Sequence, residues 1–209
     1  MPGKTLLLST AYLPPVGYIA SIVRYSEVMI EKHETYLKQS FRNRCVIAGA
    51  NGLLPLSVPV LRGSFHKTPV SEIAVDYSRR WIPVHIRSII SAYRNAPYFD
   101  FYSGELFDIM ACGEHLLLNL NMKLLQFTLK TIGIEKEINF TGSFLKPDSS
   151  EMDLRYSISP KSENRYRRET LFKPYPQLFS ERYGFKADIS IIDLIFNMGP
   201  ESLPYLKGL

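Results

Sequence analysis

Apolar residues in the first part of the chain form short runs that polar segments separate. Residues 4–9 and 27–31 are runs of strand length, and residues 16–25 between them carry apolar side chains at helical spacing. A strand, a helix and a second strand in that order predict a βαβ unit with two parallel strands. Loops at strand ends carry a large share of functional residues, so the segment that follows residue 31 is the first candidate.

Two further apolar runs, residues 43–49 and 53–60, are joined across Ala50-Asn51-Gly52. Asn-Gly between such runs is a strong hairpin signal, because both residues accept the positive φ angles of a tight turn. A short strand is predicted at residues 70–75. The N-terminal half is therefore expected to form a mixed sheet, since the βαβ unit supplies parallel strands and the hairpin antiparallel ones.

The middle of the chain has the periodicity of amphipathic helices. Between residues 81 and 94, four apolar side chains recur at helical spacing, and the same pattern covers residues 99–112 and 114–132. Gly113 and Gly133 follow two of these segments, where glycine readily adopts the left-handed conformation that ends a helix.

A last helix is predicted near residues 191–198. Together the elements predict an α/β protein: one domain spanning residues 1–209, with a mixed β-sheet covered by helices from the middle and C-terminal parts. The polar stretch at residues 146–173 is expected to be a long, partly mobile loop. It is either a solvated surface excursion or a lid that closes on a phosphate. The basic residues at its end are Lys161, Arg165, Arg167, Arg168 and Lys173.

Composition restricts the classes of function. The 209 residues are 45% hydrophobic and 22% charged, and no apolar run approaches the roughly 18 residues of a membrane span. The first apolar run is too short for a signal-peptide core, so we expect a cytoplasmic protein. The net charge of +5 favours small anionic partners. Phosphorylated sugars and nucleotide sugars are favoured over nucleic acids, because no nucleic-acid-binding motif accompanies the scattered basic residues.

Cysteine and histidine spacing predicts no metal site. Cys45 and Cys112 form neither a metal motif nor a disulfide framework. No two of the four histidines have metal-ligand spacing. We therefore predict no metal and no cofactor.

The segment from residue 31 to residue 44 holds most of the candidates for chemistry, between two apolar runs. If residues 31–33 are extended, Glu31 and His33 point to the same side. The carboxylate would then orient the imidazole and raise its basicity, as a general base requires. The alternative is an exposed loop histidine among charges.

Arg42 and Arg44 in the same segment alternate with Asn43. In an extended strand the two guanidinium groups would share one face and offer planar forks to a carboxylate or phosphate. Paired surface arginines are common, so an ordinary solvated pair is the alternative.

A second group of candidates lies in the predicted C-terminal helix. Asp193 is three residues after Ser190, the spacing of a capping box in which the acidic side chain bonds back to the helix start. Asn197 follows Asp193 by four residues, so both side chains would also be able to face a cleft from one helix. The sequence leaves a structural and a catalytic Asp193 open.

Tyrosines are numerous, at 13 in the chain. Sugar rings stack on aromatic faces, and Tyr12 and Tyr36 are the preferred walls of a sugar pocket. Tyrosines also fill half-buried strand positions, which is the alternative for each of them.

Five segments occur in an order and spacing typical of one known family. They are Tyr12-Leu13-Pro14-Pro15-Val16-Gly17-Tyr18, Lys38-Gln39-Ser40-Phe41-Arg42-Asn43-Arg44, Tyr93-Arg94-Asn95-Ala96-Pro97-Tyr98-Phe99, Leu129-Lys130-Thr131-Ile132-Gly133-Ile134 and Ser190-Ile191-Ile192-Asp193-Leu194-Ile195-Phe196-Asn197. Together they resemble the WbqC-like family of bacterial proteins almost from end to end. The resemblance implies a link to surface-polysaccharide (O-antigen) biosynthesis and the transfer of a glycine or other aminoacyl group.

We therefore expect an acyl or aminoacyl transferase that acts on an amino sugar or nucleotide sugar, in a cleft between the strand ends and the last helix. The acyl donor and the oligomeric state are not indicated by the sequence. A non-catalytic protein that binds a nucleotide sugar or a partner enzyme is the alternative, followed by an RNA-binding protein. The expected catalytic residues are His33, Glu31 and Asp193, and the expected substrate-binding residues are Tyr12, Tyr36, Arg42, Asn43, Arg44 and Asn197.

Overall fold

The fold combines a parallel sheet, a hairpin and surrounding helices. A computed structural model describes residues 5–61, 67–147, 152–160 and 172–209. The elements in chain order are β1 (Thr5–Ser9), α1 (Val16–Arg24), β2 (Glu27–Glu31), β3 (Arg44–Gly49), β4 (Gly52–Ser57), a 3₁₀ turn at Val70–Glu72, α2 (Trp81–Tyr93), α3 (Phe99–Ala111), α4 (Leu117–Thr131), β5 (Ile138–Phe140), β6 (Met152–Asp153), α5 (Ser180–Tyr183), α6 (Ile191–Met198), a 3₁₀ turn at Gly199–Glu201 and α7 (Ser202–Lys207).

Four strands form a parallel sheet in the order β5-β2-β1-β6. β1 pairs with β2 from Thr5↔Glu27 to Ser9↔Glu31, while β6 lies beside β1 and β5 beside β2. The three leucines at the centre of β1 are completely buried, as expected of a parallel strand that is covered on both faces. The βαβ opening is confirmed. Because all four strands are parallel, their carboxyl ends share one edge of the sheet.

β3 and β4 form a separate antiparallel sheet of two strands. The hairpin turns between Gly49 and Gly52, and the φ angle of Gly52 is 99°, which favours glycine. The other side of β3 faces the start of α6, where the Ser190 N–H donates to the Val46 carbonyl at 2.8 Å. The α/β class is confirmed, with the strands in two sheets.

Some short elements differ from the sequence expectation. β5 and β6 have only three and two residues, too few to show an alternation that the sequence would reveal. The short strand expected at residues 70–75 is wrong. Its first half is a 3₁₀ turn, and Ala74 and Val75 form only isolated bridges.

The polar stretch at residues 146–173 is described only in part. Residues 148–151 and 161–171 lie outside the described residues, and they include four of the five basic residues at the end of the predicted lid. Between them, Met152 and Asp153 form β6 and Arg155 is buried. This described part of the stretch therefore belongs to the sheet and its core.

The helices of the described residues are of ordinary length. The longest, α4, has 15 residues. In the ranges given above, none combines the length and the apolar character that crossing a membrane requires.

α6 runs through the core, where it packs against α1, α3, α4 and β3. Five of its eight residues are apolar and at most 1% exposed. Its end is tightly built: the Tyr98 N–H donates to the Phe196 carbonyl, and the next turn begins at Gly199 with a φ angle of 51°. A Cβ atom at Gly199 would lie 2.5 Å from the Tyr98 ring. This glycine is required both by its backbone conformation and by the ring beside it.

We expect Gly199→Ala to lower the free energy of unfolding by about 3 kcal/mol. This is the sum of the cost of holding alanine at a positive φ angle and the cost of packing its Cβ atom against the Tyr98 ring. The measurement is urea denaturation followed by circular dichroism. Gly104→Ala is the matched control, since a Cβ at this exposed helical position meets nothing within 4 Å and alanine favours the helix. Equal effects of the two substitutions would contradict the assignment.

Candidate functional site

Charged side chains are buried where the parallel strands end. Glu31 closes β2, Glu34 follows it and Asp153 closes β6, and their cationic partners are Arg42 and Arg155. Four of these five residues are at most 3% exposed. Charged residues are rarely buried unless they are paired. We call these five residues the edge network.

Arg42 binds Glu34 through both carboxylate oxygens. Arg42 Nε donates to Glu34 Oε1 at 2.8 Å, and Nη2 donates to Oε2 at 2.5 Å. Nη2 also donates to Ser9 Oγ at 2.7 Å, and Ser9 Oγ lies 3.2 Å from Glu34 Oε2. A bidentate pair of this kind fixes the geometry as well as the charge. Ser9, the last residue of β1, is thereby tied to the ion pair.

Arg155 organises the other half of the edge network. Its Nη2 donates to Asp153 Oδ2 at 2.6 Å, and its Nη1 lies 3.3 Å from Glu31 Oε2 and 2.8 Å from the Leu145 carbonyl. Glu31 accepts further hydrogen bonds from Thr141 Oγ1 at 2.7 Å and from the Leu145 N–H at 2.8 Å. This dense bonding holds the carboxyl ends of β2, β5 and β6 together.

Glu34 is a carboxyl of the edge network with a clearly shifted pKa. Burial raises the pKa of the Glu34 carboxyl, while the Arg42 charge and the hydrogen bonds from Arg42 and Ser9 oppose this shift without cancelling it. A carboxyl that holds its proton more readily than usual is suited to proton transfer.

A narrow cleft opens beside the edge network, between the ends of β1 and β6. It has a volume of about 10 Å³, room for one water molecule. The chain passes from β1 to β2 on one side and returns to β6 on the other, and ligands of open α/β sheets bind where the strand order reverses in this way. The lining residues are Ser9, Thr10, Ala11, Tyr18, Phe41, Arg42, Leu154, Arg155 and Ile158.

His33 lies two residues beyond β2 at the same edge and is partly buried. Glu31 accepts a hydrogen bond from the backbone N–H of His33 at 2.9 Å. The carboxylate therefore holds the main chain, whereas the sequence had suggested that it would orient the imidazole. The ring is positioned by Thr141, whose carbonyl oxygen is 3.2 Å from Nε2. Because a carbonyl only accepts, Nε2 carries the proton of the neutral ring and Nδ1 keeps a lone pair.

Two of the predicted substrate-binding residues lie in the core. Tyr12 is completely buried, its hydroxyl is 2.9 Å from His85 Nδ1, and its ring packs edge-on against Trp81. Asn43 is 9% exposed, and its Nδ2 donates to the Val58 carbonyl at 2.8 Å. A sugar would reach Tyr12 only if the core opened, because the ring has no accessible face.

Arg42 and Arg44 influence the pKa of Tyr36. Burial raises the pKa of Tyr36 to about 12, and the Arg44 and Arg42 guanidinium groups oppose this shift. Tyr36 is 4% exposed, and Arg44 is partly buried at the start of β3. The polar segment thus brings these three predicted residues into one neighbourhood, although Arg42 is also paired with Glu34.

Asp193 belongs to a second polar cluster, which we call the tyrosine cluster. Its Oδ1 accepts hydrogen bonds from Tyr175 at 2.8 Å and Gln177 at 2.9 Å, and its Oδ2 accepts one from Tyr93 at 3.0 Å. It therefore does not cap its own helix. Burial raises the pKa of Asp193 to about 6, with the three hydrogen bonds acting in the opposite direction.

Asn197 lies beside the tyrosine cluster, since its Nδ2 donates to the backbone carbonyl oxygen of Asp193 at 2.7 Å. In the described residues, no hydrogen bond or ion pair joins this cluster to His33 or to the edge network. The structure therefore separates Asp193 and Asn197 from the predicted site residues at the edge of the parallel sheet.

Sequence reasoning missed Ser9, Glu34, Asp153 and Arg155 as members of the site. Ser9 ends the predicted strand at residues 4–9 and Glu34 lies three residues after the predicted strand at residues 27–31, so their position at strand ends was a usable signal. Arg155 lies in a stretch that looks like a loop, and no local pattern points to it. Within the described ranges, no three His, Cys, Asp or Glu side chains form a group that could hold a metal ion.

The fold and the edge network define an α/β protein with a polar site at the carboxyl edge of a parallel sheet. The model of the WbqC-like protein family matches residues 10–170, and the chain belongs to this family. It is similar to the uncharacterized protein Rv1507c of Mycobacterium tuberculosis, with 27% identity over 98% of this chain and 97% of that protein. No solved structure matches the chain.

We expect Arg155→Met to lower the free energy of unfolding by about 3–5 kcal/mol, because it leaves Glu31 and Asp153 as buried carboxylates without their cation. Chemical denaturation measures the change. Lys130→Met removes an exposed cation bound to Glu105 at 2.9 Å and should cost less than about 1 kcal/mol. Equal losses in the two variants would show that the edge network is not a buried ion-pair system.

Asp193 should make stability depend on pH in a direction opposite to that of an ordinary salt-bridged carboxylate. Its pKa is about 6 in the folded state against 3.8 in the unfolded chain, so the folded protein binds more protons between these values. The free energy of unfolding therefore falls as the pH rises through this window, by up to about 3 kcal/mol for this group.

Asp193→Asn isolates this effect. The difference in unfolding free energy between the variant and the wild type should shift in favour of the variant from pH 4 to pH 6.5 and then stay level. Asp108→Asn, at an exposed position, is the control. A difference that does not change with pH would show that Asp193 does not titrate in this window.

Proposed function

We propose that the protein is an acyl or aminoacyl transferase that modifies an amino sugar, either free or carried on a nucleotide, in surface-polysaccharide biosynthesis. The proposed site is the carboxyl edge of the parallel sheet, where His33 and the edge network lie. The observation that carries the proposal is the hydrogen bond from His33 Nε2 to Thr141, since it leaves Nδ1 as a proton acceptor at a place where ligands of α/β sheets bind.

Acyl transfer to an amine requires a group that takes a proton from the attacking nitrogen. His33 Nδ1 is suited to this role, because it bonds to no described residue and the ring is fixed by Thr141 through its other nitrogen. Glu31 fixes the adjacent main chain. The imidazole is thus oriented for proton transfer without a carboxylate partner of its own.

The phosphate of a nucleotide sugar would bind the arginines at this edge. Arg42 uses Nε and Nη2 for Glu34 and Ser9, while Nη1 has no hydrogen-bond acceptor among the described residues. Arg44 and Tyr36 lie in the same neighbourhood. A planar guanidinium group with one free side suits a phosphate or carboxylate oxygen, and the net charge of +5 favours the same partners.

Family membership supports the same site. The matched residues 10–170 include His33 and all five residues of the edge network. Asp193 and Asn197 lie beyond that range, in and beside the tyrosine cluster, so their catalytic roles remain predictions from the sequence.

We expect His33→Gln to lower kcat for acyl transfer by about 10²-fold or more, the usual contribution of a general base, while substrate affinity stays unchanged. Glutamine can still donate to the Thr141 carbonyl through its amide nitrogen, but it has no basic nitrogen. The assay combines nucleotide-linked amino sugars that carry a free amine with acyl and aminoacyl thioesters, and mass spectrometry detects the amide product.

His115→Gln is the matched control, because His115 is exposed and belongs to neither polar cluster. Binding of the same sugars is measured by thermal shift in all three proteins. If the wild type binds a nucleotide sugar but transfers no acyl group from any donor, the protein is a binding module and the proposed transfer is wrong. If His33→Gln transfers as fast as the wild type, His33 is not the base.

A further inference from the structure

Ser9 has the surroundings of an activated nucleophile. Its hydroxyl lies at the carboxyl end of β1, and the residue lines the cleft with 8% exposure. Oγ accepts a hydrogen bond from Arg42 Nη2 at 2.7 Å. The positive charge of Arg42 would therefore stabilise a Ser9 alkoxide. The hydroxyl proton points toward Glu34 Oε2 at 3.2 Å or the Arg155 carbonyl at 3.1 Å.

Glu34 is placed to take the proton of Ser9. A carboxylate within hydrogen-bond reach of a serine hydroxyl activates it as a neighbouring base does, and Arg42 holds that carboxylate through both oxygens. Only one lone pair of Ser9 Oγ is used by Arg42. The second lone pair is therefore available for attack on a carbonyl carbon.

Other groups in the cleft are suited to the negative charge that such an attack creates. Arg42 and Ala11 both line the cleft. In the described residues, Arg42 Nη1 and the backbone N–H of Ala11 donate to no acceptor. Donors of this kind stabilise the oxyanion of a tetrahedral intermediate.

We infer that acyl transfer proceeds through an ester on Ser9. This inference rests on the proposed function and adds a covalent step to it. In the first step Ser9 Oγ attacks the carbonyl carbon of an activated ester or thioester, its proton passes to Glu34, and the leaving group departs as an anion. In the second step the amine attacks the Ser9 ester, His33 takes the amine proton, and Glu34 returns its proton to Ser9 Oγ as the C–Oγ bond breaks.

The test uses p-nitrophenyl acetate as the acyl donor and the full chain without an acceptor amine. Intact mass spectrometry should show the addition of one acetyl group, and peptide mapping should place it on Ser9. Ser9→Ala should lose this adduct and Ser9→Cys should keep it, as a thioester. Ser21→Ala is the control, since the Ser21 hydroxyl donates to the Gly17 carbonyl within α1. Melting temperatures show that each variant is folded.

The outcomes separate this inference from the proposed function. His33→Gln should still be acetylated on Ser9, because the first step does not use His33, but should pass the acetyl group to an amine more slowly. Transfer to an amine without any adduct on Ser9, or with full activity in Ser9→Ala, would overturn the covalent step and leave the transferase proposal intact. An adduct on Ser9 with no transfer to any amine would overturn the proposed function.

Discussion

The bidentate ion pair between Arg42 and Glu34 is the contact on which the candidate site depends. Burying either charge alone would cost several kcal/mol, so each needs partners that are already in place. The hydrogen bond from Arg42 to Ser9 extends the pair to the end of β1. Arg155 likewise forms buried ion pairs with Asp153 and Glu31. The ends of the parallel strands are therefore held together by charge pairing.

Burial raises the pKa values of the Asp193 and Glu34 carboxyl groups, and their surroundings separate their roles. Asp193 is enclosed by Tyr93, Tyr175 and Gln177 and has 1% exposure. Glu34 is equally buried, but its partners Arg42 and Ser9 line a cleft. In the proposed mechanism a proton on Glu34 is exchanged through Ser9, whereas a proton on Asp193 changes mainly the stability of the fold.

Much of the fold follows from local patterns. The βαβ opening, the Asn-Gly hairpin and the long helices all have periodicities or turn residues that are visible in the chain, and the structure contains them near the expected bounds. β5 and β6 are too short for such a signal. The pairing of β6 beside β1 joins residues more than 140 positions apart, and contacts of this range leave no trace in local periodicity.

The sequence alone predicted that the chemistry should be sought in residues 31–44, because a dense group of charged and polar side chains lies there between two apolar runs. Only the tertiary structure decided which of these side chains act together. In the folded protein Arg42 pairs with Glu34, and Glu31 pairs with Arg155. The Ser9 hydroxyl contacts Arg42, Glu34 and the Arg155 carbonyl. The physical reason is that a buried charge is stabilised by whichever partners the packed strands bring within hydrogen-bond reach, and that choice depends on the fold as a whole.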